Sequence, residues 1–356
     1  MVIKVALAGV GNCASALVQG VEYYKGIEND DEIPGVMHAY FGNYHIRDIK
    51  FVAAFEVNKH KIGIDLSKAI WAKPNGCYKF SEVPHQGVEV QPGPIYDGVA
   101  PHMLDAFYVG EDHKEVDVAE HLKSVDADIL VNYLPVGSKI ATQIYAEAAI
   151  KAGCAFVNCI PEFIASDESW GRRFKEAGLP VAGDDIKSQV GATIVHRALA
   201  ELFHERGVKI DSTYQLNIGG NTDFENMTVE NRLVTKRISK TEAVKSLLPY
   251  DVPTKIGPSD FVPFLGDQKI CYISIKGHAF GRCPMDLDLK LQVQDSPNSA
   301  GVVIDVIRAV KLALDRGLSG PLTSISAYSF KHPPETMSDH VARDLVEEYI
   351  AGKRES

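Results

Sequence analysis

The first segment equipped for chemistry is Gly9-Val10-Gly11-Asn12-Cys13-Ala14, which follows an apolar run and opens a helical stretch. Its two glycines permit a tight turn and close approach of a pyrophosphate. The helix N-terminus then offers amide donors and a favourable dipole. Ala14 fills the third small position of the pattern. A plain strand-to-helix turn would use the same residues, so the flanking elements must decide. Glu56 ends the next apolar run and is the candidate carboxylate for ribose hydroxyls. It would repel a 2′-phosphate and so favour NAD over NADP; a solvated charge at a strand end is the competing reading. Asn132-Tyr133-Leu134-Pro135 closes a third strand, where the nicotinamide half of a dinucleotide would border the sheet. An ordinary loop would look the same.

Three later clusters are also chemically dense. Gly183-Asp184-Asp185-Ile186-Lys187-Ser188-Gln189-Val190-Gly191-Ala192-Thr193 opens a long amphipathic helix. Ser188, Gln189, Gly191 and Thr193 could surround a phosphate with donors, with Lys187 adding charge. A capped helix start, on Asp185 or Ser188, explains the segment equally well. Asn217-Ile218-Gly219-Gly220-Asn221-Thr222-Asp223 gathers two asparagines and an aspartate after a strand, more polarity than a turn requires. Lys236 and Lys240 stand four apart, on one face if helical, and composition alone favours a solvated face.

The elements that would hold these residues alternate through the first half. Strands are expected at Val2–Ala8, Ile49–Val57, Asp128–Leu134, Cys154–Cys159 and Leu179–Ala182. Helices are expected to Tyr24 and over Lys59–Trp71, Ser138–Ala152, Asp167–Ala177 and Ser188–Arg206. Such alternation implies right-handed crossovers and a mostly parallel sheet. Residues 73–115, rich in Pro, Gly and His, resist assignment. Alternating strands at Lys209–Ile218, Lys269–Lys276 and Asp286–Val293 suggest an antiparallel layer, and Ala300–Leu314 reads as a buried helix. The expected architecture is therefore α/β. It has a Rossmann-like, doubly wound parallel sheet (1–199), an inserted α+β unit (200–297) for catalysis and oligomerisation, and a return segment (298–356) packing on the first.

Composition narrows the partners. The 356 residues carry a net charge of −10 without a long basic run, which disfavours nucleic-acid binding. The charge-free stretch Val5–Val21 is broken by Gly9, Gly11 and Asn12, so no membrane span is expected. No secretory pattern opens the chain, and a cytoplasmic location is expected. The six cysteines form no CxxC pair and no Cys/His ligand spacing, so neither a metal site nor a disulfide framework is expected.

Taken together, the ordered segments resemble the myo-inositol-1-phosphate synthase family in its short bacterial form. The resemblance rests on Gly9–Ser15, Gly183–Ser188, Asn217–Phe224, Thr235–Lys240, Val262–Lys269, Gln294–Ser296 and Phe330–Pro333, which occur in family order over nearly the whole chain. It implies an inositol-3-phosphate synthase that cyclises glucose 6-phosphate with tightly held NAD. The sugar would be oxidised at C5, enolised, closed by aldol attack on C1 and re-reduced at C5, leading on to inositol phospholipid synthesis. NAD would be held by Gly9, Gly11, Asn12, Cys13, Ala14, Glu56, Asn132, Pro135 and Asp185. Lys187, Lys236, Lys269 and Lys331 would line the site, with Asp267 and Asp223 as acid–base partners and Lys240 beside them. The substrate phosphate would lie over Ser188, Gln189, Gly191 and Thr193. A homotetramer is implied on the same ground. Longer family members carry a second lysine at this helix start, where Ile194 or Val195 stands here. Two other readings fit the nucleotide motif: an ordinary NAD-dependent dehydrogenase, and a protein that senses NAD without turnover. Both leave the lysines unexplained.

Overall fold

The structure, a computed structural model, describes residues 1–228, 244 and 248–356. From the N-terminus, β1 (Ile3–Ala8) leads into α1 (Asn12–Tyr24), followed by a short hairpin of β2 (Tyr40–Phe41) and β3 (Tyr44–His45). Next come β4 (Ile49–Glu56), α2 (Leu66–Ala69), β5 (Val90–Pro92) and α3 (Val118–Ser124). The pairs β6 (Ile129–Asn132) with α4 (Lys139–Ala152) and β7 (Ala155–Asn158) with α5 (Glu168–Glu176) precede β8 (Pro180–Gly183).

These strands build a seven-stranded sheet whose first six neighbours in order are β8, β7, β6, β1, β4 and β5, every pair parallel. Strands such as Val5–Ala8 and Ile129–Asn132 are buried on both faces, as a sheet covered by helices on two sides demands. The chain departs from β1 to β4 on one side and reaches β6 on the other. That reversal creates a crevice at the carboxyl ends of β1 and β6.

After α6 (Ala192–Glu205), β9 (Lys209–Gly219) and α7 (Thr222–Asn226), a second sheet is completed by β10 (Thr254–Phe261), β11 (Gln268–His278) and β12 (Pro284–Gln294). Its order is β10-β9-β11-β12, antiparallel except for β9 with β10. The chain then returns through α8 (Asp295–Asp315), which packs against α1, β7 and β8. The seventh strand of the first sheet is β13 (Gly320–Pro321), beside β8. It is followed by α9 (Thr323–Ser329) and α10 (Asp339–Ile350). Among the described residues, no helix is long and apolar enough to cross a membrane.

Among the elements that differ from the expectations, three have a local cause. The helix expected over Lys59–Trp71 shrinks to α2. Asn58 Oδ1 accepts from His60 N, Gly63 adopts φ +78°, and Leu66 N is diverted to the Val88 carbonyl. The amphipathic helix starts at Ala192 rather than Ser188, because Gln189 N and Val190 N bond to Asn298 instead of to the helix. Finally, β10 escapes a periodicity reading since Gly257-Pro258 interrupts it, a break that an edge strand tolerates. Residues 73–115 are mostly irregular, contributing only β5 to the sheet.

Candidate active site

A cleft of about 990 Å³, counted to its open mouth, lies along the carboxyl ends of the parallel strands. One wall is built from the segments just beyond the strands: Gly11–Cys13 after β1, Tyr133–Val136 after β6, Cys159–Pro161 after β7, and Asp185, Ile186 and Ser188 after β8. Facing it are Asn221–Asp223 after β9, Lys269 at the start of β11, and Asp295, Ser296 and Ser299 on α8. The antiparallel register places the end of β9, the start of β11 and the end of β12 at one sheet edge. Lys331, beyond α9, also lines it.

The wall at β1 fits a dinucleotide. Gly9 has φ +93°, and a Cβ there would stand 2.8 Å from the Tyr133 carbonyl oxygen, so only glycine serves. At Gly11, by contrast, nothing lies within 4 Å of where a Cβ would project. No side chain caps α1, which leaves its first amides to a ligand. Tyr133 Oη is buried in this wall with no hydrogen-bond partner among the described residues. Of the other residues expected at NAD, Asn12, Cys13, Pro135 and Asp185 line the cleft. Ala14 is core beneath the turn. Glu56 and Asn132 act one layer further back. The Glu56 carboxylate accepts from Val10 N at 3.0 Å and Val57 N at 2.8 Å, with Lys61 Nζ at 3.5 Å. Asn132 donates to Asn158 Oδ1 at 2.9 Å and accepts from Leu134 N, bracing the Tyr133–Val136 loop.

A smaller, tight pocket of about 290 Å³, counted to its open mouth, shares Ser188, Lys269 and Lys331 with the cleft. Its remaining wall is Gly191–Ile194, at the N-terminus of α6, with Gln215 and Asn217 of β9. Ser188 and Thr193 supply hydroxyls and the helix start supplies amides, so the donor set suits an anion. Gly191 is required here because a Cβ would fall 2.7 Å from Ser188 Cβ.

Charged partners hold the two lysines in place. Lys331 Nζ donates to Asp185 Oδ1 at 3.0 Å and to the Ile186 carbonyl at 2.5 Å. Lys269 Nζ donates to Asp295 Oδ1 at 3.0 Å. Asp267 stands behind the cleft wall as a hub. It accepts from Asn12 Nδ2, Asn221 Nδ2, Ser296 Oγ and Ser296 N at 3.3, 3.2, 2.8 and 3.2 Å. Burial and the neighbouring Asp295 charge push its pKa up to about 6.

The structure separates Lys187 and Gln189 from this group. Both line a different cavity of about 840 Å³ with Met37, Asp339 and Arg343. Lys187 Nζ donates to Asp339 Oδ1 at 2.7 Å and to the Ala327 carbonyl at 2.8 Å. Its burial brings its pKa down to about 8. Lys236 and Lys240 lie outside the described residues. Sequence reasoning did not single out Gln215 or Phe107 as lining residues, and it marked Tyr133 only as part of the segment after the third strand. For Gln215 a signal existed, since Thr213, Gln215 and Asn217 put polar groups at every second position of one strand.

Residues 191–296 match the family model for myo-inositol-1-phosphate synthase. The inositol-3-phosphate synthase of Mycobacterium tuberculosis is 53% identical over 353 residues, covering 98% of this chain and 96% of that protein. That of Corynebacterium glutamicum is 52% identical over 357 residues, covering 98% of both. A crystal structure of a myo-inositol-1-phosphate synthase-related protein from Thermotoga maritima superimposes with a TM-score of 0.81, at 26% identity over 99% of both chains.

Proposed function

The chain belongs to the myo-inositol-1-phosphate synthase family and is an enzyme of inositol phosphate formation, and we propose that it cyclises glucose 6-phosphate by a redox-neutral route with NAD held in the β1 cleft. The observation that carries this reading is the anion pocket opening into the nucleotide cleft through two shared lysines. A phosphate in the pocket leaves the sugar between Lys269 and Lys331, facing the cleft. Bound NAD supplies the reversible two-electron oxidation at C5.

The chain's own residues handle charge and protons. Gly9, Gly11 and the amides at the start of α1 receive the pyrophosphate, and Ser188, Gly191 and Thr193 receive the substrate phosphate. With C5 at the ketone level, the C6 hydrogens are acidic, and loss of one leaves an enolate that attacks the C1 aldehyde. Negative charge then develops at the C5 oxygen and afterwards at the C1 oxygen. Ammonium groups fixed by Asp185 and Asp295 stabilise it without reorganising at the moment of reaction. Asp223 borders the same space and is the acid–base partner that takes the C6 proton, Asp295 being engaged with Lys269. Asp267 keeps Asn12, Asn221 and Ser296 aligned rather than meeting the sugar.

A homotetramer is part of the reading, supported by the exposed patch of Tyr214, Leu216 and Tyr272 on the outer face of the second sheet, where Tyr272 pairs with Leu216. A cytoplasmic location and the division at 200 and 297 are proposed with it. The deciding experiment incubates glucose 6-phosphate carrying deuterium at C5 with catalytic NAD. Labelled inositol phosphate without accumulating NADH supports the route. Stoichiometric NADH, or loss of the label to the cofactor pool, overturns it in favour of a simple dehydrogenase.

A further inference from the structure

Behind the proposed phosphate pocket, polar side chains stand where a sheet ordinarily packs apolar ones. Thr213, Gln215 and Asn217 all face inward on β9 and are buried, while Tyr214 and Leu216 between them are open. His196 of α6, fully buried, completes the row. Its Nε2 lies 2.7 Å from Thr213 Oγ1 and its Nδ1 lies 3.2 Å from Gln215 Oε1. Gln215 Nε2 donates to Asn217 Oδ1 at 3.1 Å, and Asn217 Nδ2 donates to the Gly257 carbonyl at 2.9 Å.

The direction of this chain is set from its far end. A carbonyl only accepts, so Asn217 must present Nδ2 to Gly257 and its oxygen to Gln215. Gln215 must then donate through Nε2 and turn its own oxygen toward the imidazole. An oxygen facing the ring requires a proton on Nδ1, and in a neutral ring the bare Nε2 takes the Thr213 hydroxyl proton. Thr213 Oγ1 also stands 2.8 Å from the Ser274 carbonyl. Donating there instead would demand a doubly protonated ring, which burial opposes by holding the His196 pKa down at about 4.

We propose that His196 is a positioning residue: its Nδ1–H braces the near end of a chain whose direction Gly257 sets, so that the Gln215 and Asn217 amides stay placed to offer N–H groups to an anion in the pocket. Each amide spends one N–H in the chain and keeps a second, and both residues line the pocket. Reversed amides would present oxygen to the phosphate and repel it. This inference rests on the reading of that pocket as the phosphate subsite.

The test compares His196→Leu, Gln215→Leu and the double variant in the full chain with NAD. Each single change should raise the KM for glucose 6-phosphate and the inhibition constant of inorganic phosphate about tenfold, the usual loss for a buried hydrogen bond to a charged group. At saturation kcat should stay within about threefold. Because His196 acts through Gln215, the double variant should be no worse than Gln215→Leu alone. Nitrogen-15 NMR of histidine-labelled, unmutated protein should report a neutral ring protonated at Nδ1. Additive losses, an unchanged KM in His196→Leu or a ring protonated at Nε2 would overturn the proposal. The tautomer decides even if His196→Leu fails to fold. If the unmutated enzyme ignores both glucose 6-phosphate and inorganic phosphate, the phosphate reading fails while the tautomer still judges the hydrogen-bond chain.

Discussion

At the two glycines before α1, conformation and space make separate demands. Gly9→Ala places a Cβ against the Tyr133 carbonyl at positive φ, and should cost about 1–2 kcal/mol in chemical denaturation. Gly11→Val meets open space at φ −88°, so it should melt like the parent yet lose NAD on gel filtration. Equal NAD retention would place the cofactor elsewhere. Asp267 makes a pH prediction of definite sign. Deprotonated, it accepts from four donors; protonated, one oxygen becomes a donor facing donors, and Asn12, Asn221 and Ser296 loosen. With its pKa raised to about 6, kcat should be full above that pH and fall below it. The parameter to track is kcat, because the substrate phosphate itself titrates near 6 and distorts kcat/KM. Asp267→Asn should show the low value throughout and lose the acid limb. A pH-independent parent between 5 and 8 would refute the hub. Lys331→Ala removes an ammonium aimed into the cleft and should lower kcat about 10²–10³-fold while NAD stays bound.

The turn bearing Ser188 is held as an element. Its preceding residues pair with the end of α9 and the residues just after it: Lys187 N donates to the Ser329 carbonyl, and Lys331 N to the Asp185 carbonyl. Asp339, at the start of α10, clamps this arrangement by accepting from Lys187 Nζ and from Arg197 Nε at 2.8 Å. Asp339→Ala strips a carboxylate from two buried cations and should cost about 3 kcal/mol. Denaturant midpoints measure that loss, and the KM for glucose 6-phosphate should rise with it as the turn loosens; an unchanged midpoint would show the clamp to be idle. Lys187→Ala should likewise lower the midpoint along with turnover, a structural share the family resemblance does not convey. Sequence made the neighbouring elements legible where their causes are local. The Gly9–Ala14 turn and the alternation from β6 to β8 were readable because breakers and period sit within a few residues. The direction of Lys187 was not, since its partners stand at 327 and 339. The phosphate pocket's floor was legible only as alternation: Thr213, Gln215 and Asn217 share one face, but the usual rule would turn that face outward, and β9 turns it inward with its tyrosine and leucine outward.

That inverted strand also bears on the whole molecule. The second sheet supplies one wall of the cleft through its edge, at Asn221–Asp223 and Lys269, so the site is only as rigid as the sheet. Its inner face packs on α6, with Ile210, Cys271, Ile273 and Ile275 buried. On the outer face Tyr214, Leu216 and Tyr272 remain 41%, 36% and 41% exposed. Tyr272 lies directly opposite Leu216 across the β9–β11 ladder, with Tyr214 two positions along, so the three form one patch rather than scattered residues. A contiguous apolar patch of this kind marks an association surface, and the proposed tetramer would cover it with another copy of the same face. Charge supplies the test: Leu216→Glu with Tyr272→Asp sets carboxylates opposite each other and, in a symmetric contact, against their own copies. Light scattering should find the parent as a tetramer and the double variant as a smaller species. The variant's far-ultraviolet circular dichroism should be unchanged, since neither side chain enters the core. Its kcat should fall as the unsupported sheet lets Lys269 drift from the sugar, and should recover in part at protein concentrations that restore assembly. A parent that runs as a single chain, or a variant that stays tetrameric, would remove this face from the assembly.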